Sequence, residues 1–255
     1  MRALPRLMVA PNGARRTQAD HPTLPMTLPE IVKTARTCHE AGADGLHLHL
    51  RDSEGRHLLD AGAYREALAE LRGAVPGMAL QVTTEAAGRY APPHQRAVAL
   101  DAGADLVSVA LREMAGEADE APGFYATCAE RGIAVQHILY DAADFDLLAR
   151  LVPDELRDAA GLQLIFVLGR YSAGQESDAR DLAPFLDRLA ARAAPADWAA
   201  CAFGRAETAC LKAAHAAGGK LRVGFENSLW HDDGRLARDN ADRVRAVALA
   251  CGMAA

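Results

Sequence analysis

A single-domain (β/α)8 barrel is the fold class this sequence predicts, and three observations predict it. Eight short runs of strand length and high apolar or β-branched content recur along 255 residues, at 7–11, 45–50, 78–84, 106–111, 134–140, 163–169, 199–204 and 221–226. The stretches between them read as helices, so strand and helix alternate throughout, the pattern of a parallel sheet wrapped by helices. Eight such units use nearly the whole chain, which matches one barrel of about 250 residues. A doubly wound open sheet is the competitor. Its G-x-G-x-x-G fingerprint is absent after the first strand, where Pro11-Asn12-Gly13 stands instead. No linker rich in Pro, Gly or Ser divides the chain, so residues 1–255 are expected to form one domain.

Each element has a local reason. The first helix, 28–41, opens Thr27-Leu28-Pro29-Glu30: a capping hydroxyl, then a proline and an acid in the first turn. It carries Ile31, Ala35 and Cys38 on one stripe and stops at Gly42. The stretches 61–72, 93–102, 123–131, 144–151, 182–193, 207–217 and 240–252 read the same way. Ala-Gly-Ala-Asp ends the helix before both the second and the fourth strand, at 41–44 and 102–105, an echo of the repeating unit.

Composition narrows the function. The chain is 50% hydrophobic, which excludes a disordered protein. Its formal net charge is -6 with no dense Lys/Arg block, which argues against nucleic acid. No apolar span reaches membrane length, and residues 1–7 hold no apolar run long enough for a secretory signal. Five scattered cysteines form no C-x-x-C pair, so a cysteine zinc cage is not expected and reduced thiols in a cytoplasmic compartment are.

The chemistry concentrates in Leu46-His47-Leu48-His49-Leu50-Arg51-Asp52. Alternation along a strand turns the leucines outward and both histidines into the barrel, near the end where barrel active sites lie. Two imidazoles so placed can bind one zinc ion, or be two hydrogen-bonded core histidines. In a closed barrel the eighth strand lies one strand away. There Arg222, Gly224 and Glu226 share a face, and Glu226 can meet the histidines across the mouth. Two histidines and a glutamate leave an open position, as catalytic zinc sites do.

Taken together the residues resemble the β-keto acid cleavage enzymes, the family of the 3-keto-5-aminohexanoate cleavage enzyme. The likeness runs through Asn12-Gly13-Ala14, His21-Pro22, His47-Leu48-His49-Leu50-Arg51-Asp52, Gln81-Val82-Thr83-Thr84, Val167-Leu168-Gly169, Phe203-Gly204-Arg205, Gly218-Gly219 and Arg222-Val223-Gly224-Phe225-Glu226. The resemblance implies a (β/α)8 barrel, usually oligomeric (a dimer or tetramer), holding a divalent metal, normally Zn2+, on His47, His49 and Glu226. It implies a β-keto acid and acetyl-CoA exchanging to acetoacetate and a new acyl-CoA. Arg222, Thr83 and Glu85 are then expected in catalysis. Asn12, Gly13, Arg15, Thr84, Ser108 and Asn227 are expected to bind substrate, and Arg112 and Arg170 the CoA phosphates.

Three positions depart from the aminohexanoate enzymes. Arg15 stands for an acid, Asn227 for the acid after the metal-binding glutamate, and Glu85-Ala86 for a Gly-Gly. Arg15, helped by Arg16, repels an ammonium, so a neutral or anionic substrate tail is expected. Asn227 cannot accept a proton at neutral pH, which points to Glu85 as the base. Two readings stay open: a metal-dependent barrel that cleaves a C–C bond without CoA, and a binding barrel without turnover.

Overall fold

The computed structural model describes residues 3–253, so the first two residues of the N-terminal reading lie outside it. Among the described residues eight parallel strands close into a barrel: β1 Leu7–Val9, β2 Gly45–Leu48, β3 Ala79–Thr83, β4 Leu106–Ala110, β5 Ala134–Leu139, β6 Gln163–Leu168, β7 Asp197–Ala202 and β8 Lys220–Val223. β1 closes the ring, paired with β2 on one side and β8 on the other. Among the described residues eight helices of eight residues or more pack outside: α1 Leu28–Glu40, α2 Ala61–Ala74, α3 Pro92–Asp101, α4 Ala121–Glu130, α5 Asp144–Leu151, α6 Ala183–Ala190, α7 Glu207–Ala216 and α8 Asn240–Ala250. None is long and apolar enough to cross a membrane.

Strand alternation sorts the side chains into two layers. Leu7, Val9, Leu46, Leu48 and Val82 point outward and merge with Ile31, Ala35, Cys38, Tyr64 and Leu68 of the helices. Met8, Leu106, Ala134, Ile165 and Ala199 point inward and, with Leu4, fill the lower barrel. The starts of α1, α2 and α8 follow the capping rule. In α1, Glu30 Oε2 accepts the Thr27 amide at 2.9 Å, completing a capping box. Asp60 and Asp239 cap α2 and α8 through the amides of Ala63 and Asp242.

Two of the strand ends that differ from the sequence expectation matter for the site. β2 stops at Leu48. Leu50–Arg51 leaves the barrel and pairs antiparallel with His57–Leu58 in a small hairpin. Its turn is held by Asp52, whose Oδ1 accepts the amides of Glu54 and Arg56. β8 stops at Val223, three residues before Glu226. Gly224 takes a positive φ of 139°, and a Cβ there would lie 2.4 Å from the carbonyl oxygen of Ala10. The chain therefore turns at Gly224, and Glu226 is carried by a loop rather than by the strand face.

Candidate active site

The three expected ligand residues converge at the C-terminal end of the barrel. His47 Nε2 and His49 Nε2 lie 3.0 Å apart, and each is 3.6 Å from Glu226 Oε2. Donor atoms around a tetrahedral ion with bonds of about 2.0–2.1 Å stand roughly 3.3–3.5 Å apart, so the trio has the span of one ion. Both imidazoles are buried. Burial lowers His47 to about 4, helped by Arg222, and takes His49 well below the usual range. Neutral rings keep lone pairs for a cation. Burial disfavours the Glu226 anion, but Arg222, His47, Arg170 and Arg16 together outweigh this and hold the carboxyl below its ordinary range. Arg222 Nη2 donates to Glu226 Oε1 at 3.2 Å, whereas Oε2 is buried without a donor. This orphaned oxygen facing two neutral imidazoles is what a divalent cation fits.

The Glu226 loop is held from several sides. Its amide donates to Ala10 O at 3.1 Å. Asn240 accepts the Phe225 amide at 2.9 Å and donates to Pro11 O at 3.0 Å, tying this loop to the one after β1. Arg16 donates to Phe225 O at 2.6 Å. Gly13, at φ +61°, passes so close that a Cβ would lie 2.6 Å from Glu226 Cγ. Arg51 fixes the same loop through the carbonyls of Gly13 and Arg16, at 2.5 and 2.9 Å. Asn12 Nδ2 donates to the carbonyls of Pro25 and His49.

A cavity of about 690 Å³, its open mouth included, rises above the trio. Of the expected residues, Asn12, Gly13, Arg15, Thr83, Glu85, Arg170 and Arg222 line it beside the three ligands. Arg170 Nη2 meets Glu85 Oε1 at 3.4 Å. Burial raises Glu85 above the usual carboxyl range, with Glu226 adding to the rise. Thr83 Oγ1 accepts the Glu85 amide at 3.0 Å, so Thr83 shapes the turn that presents Glu85. Cys201, beneath Arg222, is pushed up to about 11 by burial and stays a thiol at neutral pH.

Four expected residues are not on the cavity wall. Thr84 donates its hydroxyl to the carbonyl of Ser108 at 2.8 Å, and Ser108 Oγ is buried. Thr84 follows the last residue of β3, where the inward phase has already passed. Asn227 is buried behind the ligand loop, its carbonyl accepting from the Gly204 amide at 3.3 Å. Arg112 donates to Asp144 at 2.8 and 3.0 Å, forms a short ion pair with Asp141, and packs against Tyr140 and Tyr171. Its charge is thus shared with two carboxylates away from the cavity wall. His94 and His137 are scaffolding: His94 Nε2 donates to Leu59 O, and His137 packs on Tyr125.

Other wall residues were not singled out as site residues. Arg16, Glu113, Tyr140, Gln175 and Phe203 also line the cavity, with Ala14, Ala110, Ile138 and Val167 as its small and apolar wall. Burial raises Glu113 to about 7, and its carboxylate accepts from the Ala86 amide and from Gln95 Nε2. Gln81 and Gln136 lie inside the barrel behind His47. Their signal was available in sequence, as amides at the inward phase of apolar strands.

Relatives place this architecture. The model of the beta-keto acid cleavage enzyme family matches residues 6–254. A Fusobacterium nucleatum protein named 3-keto-5-aminohexanoate cleavage enzyme is 27% identical over 248 residues, 92% of this chain and 86% of its own length. A Cupriavidus necator 3-oxoadipate:acetyl-CoA acetyltransferase is 26% identical, over 96% of this chain and 87% of its own. A Paraburkholderia graminis 3,5-dioxohexanoate:acetyl-CoA acetone transferase is also 26% identical, over 93% and 86%. Among solved structures, ObcA in ternary complex with a C4-CoA adduct and oxalate superposes with a TM-score of 0.67 at 17% identity. That match covers 91% of this chain but 65% of ObcA, and it speaks to fold alone. The type I 3-dehydroquinate dehydratase of Clostridium difficile shares the fold at a TM-score of 0.60 and 12% identity. With a family match spanning nearly its whole length, this chain belongs to the beta-keto acid cleavage enzyme family.

Proposed function

We propose that this chain is a zinc-dependent enzyme that exchanges acyl groups between a β-keto acid and acetyl-CoA, giving acetoacetate and a new acyl-CoA. The observation that carries the reading is the convergence of His47 Nε2, His49 Nε2 and Glu226 Oε2 beneath a cavity walled by arginines. Two relatives named as acetyl-CoA-dependent transferases support the co-substrate. The exchange balances without an oxidant. The C2–C3 bond of the β-keto acid breaks, its acyl part passes to the CoA sulfur, and its carboxymethyl part takes the acetyl group.

His47, His49 and Glu226 would hold the ion, which supplies Lewis acidity toward the β-keto and carboxylate oxygens. The chain does the rest. Arg222, buried and tied to Glu226, gives a fixed positive charge where oxyanion charge develops. Glu85 takes the proton at the substrate α-carbon, with Thr83 shaping its turn and Arg170 beside it. Asn12 and Gly13 bring the β1 loop against substrate. Arg170 also meets the CoA phosphates at the mouth.

The tail is read as neutral or anionic. Arg15, Arg16, Arg170 and Arg222 face Glu85, Glu113 and Glu226 across the cavity, and the metal adds two further positive charges. Arg15 lines the cavity with its charge felt by Glu85, and is read as a cation able to meet an anion. A cytoplasmic homo-oligomer completes the reading, in keeping with five unpaired cysteines.

The test is a panel of β-keto acids with zinc-loaded protein, with and without acetyl-CoA, and a His49→Ala control. Acyl-CoA and acetoacetate formed only with zinc, acetyl-CoA and His49 are the expected result. Product without acetyl-CoA would replace this reading with a hydrolytic or aldol cleavage. Metal and ligand binding without turnover would make the barrel a binding protein. Faster turnover of 3-keto-5-aminohexanoate than of neutral or anionic substrates would overturn the tail assignment.

A further inference from the structure

The two histidines differ in what stands behind their rings. We propose that Gln81 and Gln136 are positioning residues that fix the tautomer of His47, so that its Nε2 offers a lone pair to the cavity before any ion arrives. The purpose of this device rests on the metal reading above, whereas the tautomer itself does not.

The direction of the hydrogen bonds carries the argument. The Leu164 carbonyl on β6 can only accept. Gln136 on β5 must therefore turn its amide nitrogen to it, at 3.3 Å. That leaves Gln136 Oε1 facing β3, where it accepts from Gln81 Nε2 at 2.8 Å. Gln81 then presents Oε1 to His47, 2.8 Å from Nδ1. An oxygen without hydrogens requires a proton on Nδ1, and a neutral ring protonated there is bare at Nε2. Both glutamines are buried, so reversing either amide would set oxygen against oxygen away from water. Three strands thus transmit one carbonyl's polarity to the ligand atom.

His49 has no such support. Its Nδ1 is buried without a partner among the described residues, and its Nε2 lies 3.0 Å from that of His47. With His47 bare at Nε2, the proton of His49 sits on Nε2 and points at it. Binding an ion then requires the His49 proton to move to Nδ1, while His47 needs no change.

Imidazole 15N spectra of the metal-free full-length protein test this directly. The expected spectrum shows His47 protonated at Nδ1 and His49 at Nε2, with only His49 changing tautomer on addition of zinc. In Gln136→Leu, which removes a group not touching either histidine, His47 should become a mixture of tautomers. Its zinc affinity should fall about 10- to 100-fold with the fold intact by circular dichroism. Gln81→Glu keeps an acceptor at Nδ1 and should retain the His47 tautomer, which decides the matter if Gln136→Leu does not fold. A wild-type His47 protonated at Nε2, or a folded Gln136→Leu with an unchanged tautomer, overturns the relay. The expected tautomer in a protein that binds no zinc would leave the relay standing and remove the metal reading.

Discussion

The lower and upper halves of the barrel interior are built by the same eight strands yet hold opposite contents. Below, Leu4, Met8, Leu106, Ala134, Ile165 and Ala199 pack into an apolar floor. Above, the same inward phase carries His47, Gln81, Gln136 and Arg222, all buried. Apolar groups below stabilise the fold on removal from water. Polar groups above cost free energy wherever they lack a partner, and the unpartnered atoms include Glu226 Oε2 and His49 Nδ1 in the ligand trio and Nε and Nη1 of Arg222 beside it. Stability and chemistry are thus stacked along one axis, and they should respond separately to mutation.

The largest break in this comparison is at the ligands. His49→Ala should lower turnover at least about 10³-fold, in line with the loss of an essential metal ligand. It should leave the melting temperature of the metal-free protein close to wild type, because the residue lost is itself poorly satisfied. Zinc titration by calorimetry and melting curves of the metal-free forms separate the two effects. A large drop in stability would mean that His49 belongs to the scaffold. Next is Glu85→Gln, expected to reduce kcat by about 10²–10⁴-fold while zinc affinity changes little. Unchanged kcat would remove Glu85 from the role of base.

The opposite test is made at the floor. Ile165 is fully buried, and Ile165→Ala should cost about 2–4 kcal/mol in denaturant unfolding. Zinc affinity and KM should stay near wild type, since Ile165 belongs to the apolar floor and not to the wall of the ligand cavity. If zinc affinity collapsed as well, the two halves would be one cooperative unit.

Legibility in the sequence follows the same axis. The eight strands and their inward faces can be read because alternation repeats over four or more residues, and His47 and His49 follow from it. Glu226 is legible as a residue but not as a loop residue, because the turn is made by a close approach of Gly224 to Ala10. The hairpin 50–58 has strands of two residues and no period to read. For Arg112 the sequence shows a charge and hides its partners, 29 and 32 residues away. The placement of Thr84 and Ser108 off the cavity wall is not legible, because Thr84 sits one residue past the point where strand phase holds and its hydroxyl donates to the Ser108 carbonyl.

The smallest effect expected tests whether the polar half destabilises the fold where a charge is forced upon it. Glu113 is raised to about 7 by burial, with Glu85 adding to the rise while the Ala86 amide, Gln95 and Arg170 oppose it. In the unfolded chain the same carboxyl titrates near 4.5. Below that pH both states carry the proton, and Glu113 costs nothing. As the pH rises toward 7 the unfolded chain releases a proton that the folded chain retains, so stability falls. Above 7 the folded protein bears a buried anion, a penalty on the order of 2–3 kcal/mol. Glu113→Gln cannot ionise. Its stability relative to wild type should therefore rise from about zero or slightly negative near pH 4 to a gain of order 1–2 kcal/mol at pH 8, once its weaker bond to Gln95 is deducted. Unfolding of metal-free wild type and variant across this range measures the difference. A difference independent of pH would show that Glu113 titrates alike in the folded and unfolded chains, the Gln95 and Ala86 hydrogen bonds cancelling the effect of burial.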